Sequence, residues 1–471
     1  MKKSNYLTIQ DLTVKISSII LTIIFARLLT KEEFGFYSQV FLIIGIFSAL
    51  VGNALPMGLS YFYGQYKSFS DRQRLFKRFF FTFFILSLLL TLMFIVFNSY
   101  VAKSFQNEWI EDYKWIIGAF IFFSILRHYF KNFTLLINKL KKYVKVNIFA
   151  YLLMLVLQIY NILTVKSAFL IFVYFTMGQV LIFVFLSTDL LKYLKIKSEK
   201  IFVSIKEAKY ILPVSAVGLI GVVNELIDQF MVSVMLNPIA MAELKVGSFK
   251  IPLISALTMS IITVLIPVFS KLISEGKADE IIDQWKIAVS KTTVLLLPIF
   301  VFSLIFAHEI IGLLFSDKYD LAPKIFQIYT LKYFLTVITF GAVMGAIGLQ
   351  KQWMYNLLII VAINIVLNYF AVKYYGLLGA AVVTALVWYI GAGLQIYQIN
   401  KKLNCTFLDY FPYKQYAKVL ILSLVLSGLM YAIFWYFELS FFWVVPFALI
   451  YYILVVYVFD RKFEYIRKGI V

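Results

Sequence analysis

The sequence predicts an all-α integral membrane protein of about 14 transmembrane helices, arranged as two pseudo-symmetric six-helix lobes plus two C-terminal helices. Hydrophobic residues make up 62% of the 471 positions and charged residues only 14%, and no water-soluble fold could bury so much apolar surface. The mean hydropathy of +0.89 agrees with this prediction. The apolar stretches are each near or above the roughly 20 residues that a helix needs to cross the hydrocarbon core.

The predicted spans follow one another with short polar intervals between them. The longest interval, Asp189–Lys209, is too short to form a folded soluble domain. Tryptophans near several predicted boundaries support the limits, because indole rings favour the headgroup layer. The spans cover residues 8–28, 34–62, 77–98, 115–137, 146–164, 167–188, 209–235, 244–270, 286–307, 322–347, 353–372, 376–399, 418–437 and 441–459.

Lysine and arginine are distributed unequally between alternate loops. With the N-terminus placed in the cytoplasm, the inside segments hold roughly three times as many of these residues as the outside segments. This positive-inside bias explains the net charge of +20 as a property of membrane topology, so nucleic acid is not expected as a partner. The even number of spans places both termini in the cytoplasm.

The residue types that catalysis and metal binding require are scarce. Cys405 is the only cysteine, and His128 and His308 lie far apart in the sequence. The sequence also contains no glycine-rich phosphate loop, Ser/His/Asp set or metal-ligand spacing. We therefore expect a transporter rather than an enzyme, with no cofactor and no metal site.

A repeat divides the chain at its most basic inside loop. Leu28–Ser38 and Met235–Lys245 align without gaps, each as an apolar helix end, a short polar turn and a small residue that re-enters the membrane. The predicted parts are an N-lobe over 1–188 with helices 1–6, a cytoplasmic linker over 189–209, a C-lobe over 209–400 with helices 7–12, and 401–471 with helices 13 and 14 and a short cytoplasmic tail. Parallel repeats usually place the substrate path at their interface.

Charged side chains inside the predicted spans are the candidates for substrate binding. Each costs about 2.5–3.5 kcal/mol near a helix centre, so such residues usually face a cavity or a neighbouring helix. Lys332, about ten residues into span ten, is the most deeply placed cation and the first cavity candidate. Lys15 shares a polar stripe with Asp11; it faces a cavity, pairs with Asp11, or reaches the inner surface.

Spans seven and eight place Asp228 and Lys250 at equal sequence distance from their connecting turn. The two residues either form a structural ion pair, or Lys250 serves as a phosphate-binding cation in the cavity. In the second case Asp228 and Glu225, one helical turn apart, accept sugar hydroxyls or a coupling ion. The sequence does not select between H⁺ and Na⁺ as that ion.

The remaining polar candidates lie closer to the span ends or along one helix face. Arg127 and Lys131, near the inner end of span four, are expected to anchor to lipid phosphate or to collect substrate headgroups at the inner mouth. Lys291, near the inner edge of span nine, is expected to extend to the inner surface. Asn356, Asn364 and Asn368 share one side of span eleven, where the alternatives are helix–helix hydrogen bonding and sugar contact.

Four segments resemble the polysaccharide-biosynthesis flippases, which share a superfamily with the multidrug and toxin extrusion (MATE) transporters and the lipid II flippase. Phe25–Ser38 reads FARLLTKEEFGFYS and resembles the opening signature of these flippases. Later segments resemble the start of their eighth span, the outer loop before the tenth, and the beginning of the twelfth: VGSFKIPL over Val246–Leu253, IIGLLFSDKY over Ile310–Tyr319, and YGLLGAA over Tyr375–Ala381.

The resemblance implies a flippase that moves an undecaprenyl-diphosphate-linked oligosaccharide from the inner to the outer leaflet of the bacterial plasma membrane by alternating access. The partners that the resemblance implies are that lipid and the surrounding membrane lipids. Polysaccharide polymerase or ligase machinery is a further partner that the resemblance allows. O-antigen, capsule and other surface polysaccharides remain alternative products.

Two other functions are alternatives. A MATE-like exporter of drugs or cations is expected to carry mainly acidic residues in its cavity, whereas intramembrane cations outnumber carboxylates in this sequence. A membrane-embedded glycosyltransferase or polymerase usually needs a substantial loop for its catalytic groups, and the interval 99–114 is short for that purpose.

Overall fold

The computed structural model describes residues 3–52, 54–197 and 201–463. Every regular element in these ranges is a helix, which confirms the predicted all-helical fold. The predicted cytoplasmic tail after residue 463, and Lys2 and Lys200 of the predicted inside segments, lie outside the described residues.

The chain forms two compact units, Met1–Ala242 (unit 1) and Glu243–Val471 (unit 2). Unit 1 contains nine α-helices and a short π-helix, Asn161–Val165, among its described residues, and a tenth α-helix crosses its boundary. The α-helices are α1 (Lys3–Leu28), α2 (Lys31–Gly52), α3 (Ala54–Gln65), α4 (Phe69–Phe105), α5 (Glu108–Asp112), α6 (Lys114–Leu136), α7 (Leu140–Tyr160), α8 (Ala168–Leu194), α9 (Ile205–Met235) and α10 (Pro238–Gly247).

The helices of unit 2 vary more in length, and the longest contains non-helical backbone at Gly376. They are α11 (Pro252–Ser274), α12 (Ala278–Ile305), α13 (Ala307–Phe315), α14 (Ala322–Leu331), α15 (Phe340–Ala346), α16 (Gln350–Leu403), α17 (Phe407–Tyr410), α18 (Tyr413–Tyr436) and α19 (Val444–Phe463). α12 runs through the hydrophobic core of this unit, where the buried Trp285 ring stacks on Tyr410 at 3.8 Å.

Eleven helices among the described residues are long and apolar enough to cross a membrane, and counting one bent pair makes twelve. The predicted number of 14 is therefore not confirmed. Two places account for the difference. α6 is absent from these candidates, and it carries Arg127, His128 and Lys131 within five positions. α16 contains both predicted spans eleven and twelve and is counted once among the candidates, although Gly376, with a φ of 60° and a ψ of −141°, divides it into two helices.

The boundary between the units differs from the boundary that the repeat predicts. The repeat places the helix after the basic loop at the start of the second lobe, whereas α9 packs against α2 and α3 within unit 1. The two units are defined by packing, whereas the two predicted lobes are defined by sequence similarity. The predicted division at 189–209 thus stays a prediction.

The basic loop is attached to unit 1 by a buried ion pair. The Arg78 guanidinium on α4 donates to the Glu207 carboxylate at 2.6 Å, and these side chains are 12% and 2% exposed. Glu207 also accepts the backbone amide of Ser204 at 2.7 Å, in a capping box that begins α9. The same carboxylate therefore caps α9 and holds it against α4.

The two aligned hairpins lie in direct contact in unit 1. Gly35, near the start of α2, is so close to the first residue of α10 that an added Cβ would lie 2.0 Å from the Pro238 carbonyl oxygen. Only glycine fits such an approach of two backbones. This contact explains the glycine in the Phe25–Ser38 segment.

We expect Gly35→Ala to lower the free energy of unfolding by about 1–3 kcal/mol or more, because a backbone carbonyl cannot move aside as a side chain can. Gly45→Ala in the same helix is the control, since its Cβ would lie 3.8 Å from the Leu226 Cδ1 atom. Thermal unfolding of the purified variants measures the difference. Equal melting temperatures for the two variants would contradict the close approach.

We expect Arg78→Met to destabilise the protein by roughly 3–5 kcal/mol, because it leaves the Glu207 carboxylate buried without its cation. Arg74→Met, on the same helix, removes an exposed pair with Asp71 whose side chains are 47% and 40% exposed, and should cost about 0.2–1 kcal/mol. Denaturation of both variants in detergent provides the comparison. A loss for Arg78→Met no larger than that for Arg74→Met would show that the loop is not held by this pair.

Candidate substrate-binding site

Predicted span ten is broken at its centre. α14 ends at Leu331, a 3₁₀-helix follows over Lys332–Ile338, and α15 begins after Thr339, which has a φ of 54°. The two parts are bent by 41°, so the prediction of one continuous helix over 322–347 is wrong here. The run Thr336–Thr339 consists of β-branched residues, which have low helix propensity, and this is a local reason for the break.

Side chains from three other helices bind the carbonyls of the broken segment. The Tyr389 hydroxyl donates to the Leu331 carbonyl at 2.5 Å, and the Tyr416 hydroxyl donates to Phe334 at 3.3 Å. The Trp285 indole N–H donates to the carbonyl of Ile338 at 2.7 Å. Irregular backbone at membrane depth needs such internal partners, so the break is built into the packing of unit 2.

Lys332 is the first residue of the 3₁₀-helix. Its ammonium lies 4.3 Å from the ring centroid of Tyr329 and 5.3 Å from that of Tyr333. Aromatic faces stabilise a cation at these distances. Lys332 is partly exposed, so its charge is held at the break without being sealed in the core.

Lys250 also lies at an interruption in unit 2. α10 ends at Gly247 and α11 begins at Pro252, so predicted span eight is not continuous and the exposed Lys250 lies in its gap. An added Cβ on Gly247 would lie 2.5 Å from the Cβ of Ile325, which places the end of α10 directly against α14. The gap beside Lys250 therefore lies close in the fold to the helix that leads to Lys332.

Glu243 reinforces this junction. Its carboxylate accepts the backbone amides of Asp320, Leu321 and Ala322 at 2.9–3.1 Å. A carboxylate is favourable at a helix N-terminus, where amides lack intrahelical partners. Sequence reasoning missed this role because the amides lie nearly eighty positions from the glutamate.

The acidic candidates are in unit 1. Asp228 on α9 is buried, and its Oδ1 atom accepts the backbone amide of Gln229 at 2.8 Å. Glu225, one turn earlier, is exposed. Lys250 belongs to unit 2, and the predicted choice between an Asp228–Lys250 pair and a cavity role stays a prediction.

The charged residues of α1 and α6 are paired differently from the pairing that sequence spacing suggests. Asp11 pairs with Lys131 at 3.6 Å, and Lys15 is exposed. The Arg127 guanidinium donates to the Tyr151 hydroxyl and lies 5.7 Å from the centroid of that ring. Arg127 and Lys131 are thus held by α7 and α1, a contact that no pattern within α6 could indicate.

The asparagines of the eleventh span all have side-chain partners. Asn356 and Gln398 exchange two hydrogen bonds of 2.9 and 2.8 Å between the two halves of α16. Asn368 donates to the Oδ1 atom of Asn364 at 2.5 Å, and both residues are buried. Helix packing therefore accounts for Asn356, while sugar contact by Asn364 and Asn368 stays a prediction.

Lys291 lies farther from a helix end than the sequence suggests. α12 begins at Ala278, whereas the predicted span begins at 286, and the Lys291 side chain is only partly exposed. Its expected extension to the inner surface stays a prediction.

Solved structures of two transporter types share this fold. The lipid II flippase MurJ in its inward closed conformation has a TM-score of 0.74 and 16% identity, and the match covers 97% of this chain and 99% of that one. An inward-facing multidrug resistance MATE family transporter of the MOP superfamily has a TM-score of 0.66 and 15% identity, covering 86% and 98%. These similarities show that the chain shares the fold of these two multi-span helical membrane proteins.

Sequence comparison identifies the family. The probable low-salt glycan biosynthesis flippase Agl15 of Haloferax volcanii is 22% identical over 184 residues, which span 38% of this chain and 38% of that protein. The sequence profile of the polysaccharide biosynthesis proteins matches residues 24–323. Because this match covers more than half of the chain, the protein belongs to the polysaccharide biosynthesis protein family.

Proposed function

We propose that this chain is a flippase that moves a polyprenyl-diphosphate-linked oligosaccharide from the inner to the outer leaflet by alternating access. The observation that carries the proposal is the position of Lys250 and Lys332, each beside a break in a membrane helix of unit 2. Helix breaks at membrane depth are tolerated where the backbone is buried in protein or lines a water-filled cavity. Two lysines at such places favour an anionic substrate, and a diphosphate supplies that charge.

The similar proteins support the same class of function. Agl15 is a probable glycan biosynthesis flippase, MurJ is a lipid II flippase, and the second structural neighbour is a multidrug resistance transporter. In the proposed reaction the sugar and diphosphate cross through the protein while the polyprenyl tail stays in the lipid. If the membrane is a bacterial plasma membrane, we expect the lipid carrier to be undecaprenyl diphosphate. We also expect both termini of the protein to lie in the cytoplasm.

The alternative is an exporter of small cations, which the fold similarity to a MATE transporter favours. The buried Asp228 is the residue that such an exporter would use, because a carboxylate can exchange a substrate cation for H⁺ or Na⁺. In a flippase the same carboxylate is available for a coupling ion. The charge of the transported molecule therefore separates the two functions.

The test is flipping of a fluorescent polyprenyl-diphosphate-linked oligosaccharide in proteoliposomes that contain the full chain. We expect Lys332→Met and Lys250→Met each to slow flipping about tenfold or more, because a hydrogen bond to a charged group contributes about 1.5–3 kcal/mol. Lys373→Met is the matched control, since that ammonium lies 6.0 Å from Tyr369 and 5.7 Å from Tyr374, in a similar aromatic setting outside the predicted spans.

Two results would change the interpretation. Equal flipping by the Lys332, Lys250 and Lys373 variants would assign the first two lysines to structure. Folding of each variant is checked by its melting temperature, so that a loss of flipping is not a loss of protein. Transport of small cations by the wild type, without flipping of any lipid-linked sugar, would establish the exporter instead.

A further inference from the structure

Unit 2 contains a cavity of about 300 Å³ where α13 meets the end of α18 and the loop that follows it. The predicted topology places this end of the unit on the outer side. The lining residues that matter for its chemistry are acidic or aromatic: Glu309, Tyr431, Phe434, Trp435, Tyr436 and Glu438. This cavity is separate in sequence from the helix breaks at Lys250 and Lys332.

Glu309 is the residue that indicates a ligand. Its side chain is 5% exposed and lines the cavity, and its Oε2 atom has no hydrogen-bond partner among the described residues. The Tyr431 hydroxyl interacts with the same carboxyl group from α18. Burial of an acceptor without a partner is unfavourable, so this oxygen is suited to a donor or a positive charge from outside the chain.

The loop after α18 places a second carboxylate at the rim. Glu438 has a φ of 48°, and its backbone amide donates to the Trp435 carbonyl at 3.2 Å. The next amide, that of Leu439, donates to Phe434 at 3.1 Å and closes the helix end. Glu438 is exposed at the opening of the cavity, whereas Glu309 is buried.

Charge and ring faces together define the class of ligand. The lining contains two carboxylates and neither lysine nor arginine, in a chain whose net charge is +20. Trp435 and Tyr436 are 75% and 76% exposed, so their ring faces are accessible. Aromatic faces combined with carboxylates are the groups that proteins use to bind organic ammonium ions. We propose that this cavity binds an organic ammonium group, carried either by a lipid headgroup or by an amino sugar.

Membrane anchoring alone does not account for this arrangement. Tryptophan and tyrosine commonly lie at the membrane interface, and Trp443 shows the same behaviour outside the cavity. Anchoring needs only the aromatic residues, and it leaves the buried carboxylate of Glu309 unexplained. The proposal also does not depend on the flippase function, because binding is measured without transport.

The ionisation of Glu309 gives the binding a pH dependence. Burial raises the pKa of Glu309 above the ordinary value of a glutamate, while the neighbouring His308 and Tyr431 act in the opposite direction. The ammonium ligand binds the ionised carboxylate, so its affinity should fall as the pH is lowered through that pKa. The His308→Gln variant, which removes the neighbouring imidazole, tests whether this pH dependence belongs to Glu309.

The experiment is calorimetric titration of the full chain in nanodiscs of phosphatidylglycerol, a lipid without an ammonium group. The probes are choline with its uncharged tert-butyl isostere, and glucosamine with N-acetylglucosamine. We expect one cationic probe to bind about tenfold or more tightly than its uncharged counterpart. Preference for choline indicates a lipid headgroup, and preference for glucosamine indicates an amino sugar.

Two variants and one control complete the test. Glu309→Gln and Trp435→Leu should each weaken binding of the preferred probe about tenfold, whereas Trp443→Leu, which removes an aromatic ring outside the cavity, should leave it unchanged. Trp435 is exposed, so its variant is expected to fold even if the Glu309 variant does not. Absence of binding by both cationic probes, or equal binding of charged and uncharged probes, would overturn the proposal.

Discussion

The structure depends on one constraint: every backbone amide and carbonyl within the membrane needs a partner inside the protein. Continuous helices meet this constraint along most of the chain. Where the helices break, side chains supply the partners. Trp285, Tyr389 and Tyr416 bind carbonyls around the 3₁₀-helix of span ten, and Glu243 binds three amides at the start of α14. These fixed contacts hold Lys332 at an irregular place in the fold, and that position is the basis of the proposed function.

Composition and hydropathy were sufficient to predict the all-helical membrane fold, because an apolar stretch of about 20 residues has few other stable structures. They could not predict the interruptions within spans eight and ten. The apolar pattern of 322–347 continues through Thr339 without a change in hydropathy, although its φ of 54° ends the helix. By contrast, the break at Gly376 in α16 falls at the boundary between predicted spans eleven and twelve. α6, which carries Arg127, His128 and Lys131, is not among the candidate membrane spans. Breaks depend on φ and on partners in other helices, which hydropathy does not contain.

The candidate charges show the same limit. Spacing along one helix singled out residues that are costly in hydrocarbon, but it could not identify their partners. Asp11 pairs with Lys131 of α6, and Arg78 pairs with a glutamate 129 positions away. Gly35 is a useful contrast, because its resemblance to a family signature was visible in the sequence while its cause, the carbonyl of Pro238, was visible only in the fold. Pairings across helices come from tertiary packing, and a single sequence does not record them.

The central claim is that a positive charge at position 332, accessible through the protein, is needed for transport. Lys332→Cys in a Cys405→Ser background tests it most directly, because Cys405 is the chain's only cysteine. Modification with a thiol reagent that carries an ammonium group should restore flipping of the lipid-linked sugar, whereas an uncharged reagent of the same size should not. Equal recovery of flipping with both reagents would contradict the account. A cysteine at position 332 that the reagents modify from only one side of the membrane, or from neither side, would also contradict it.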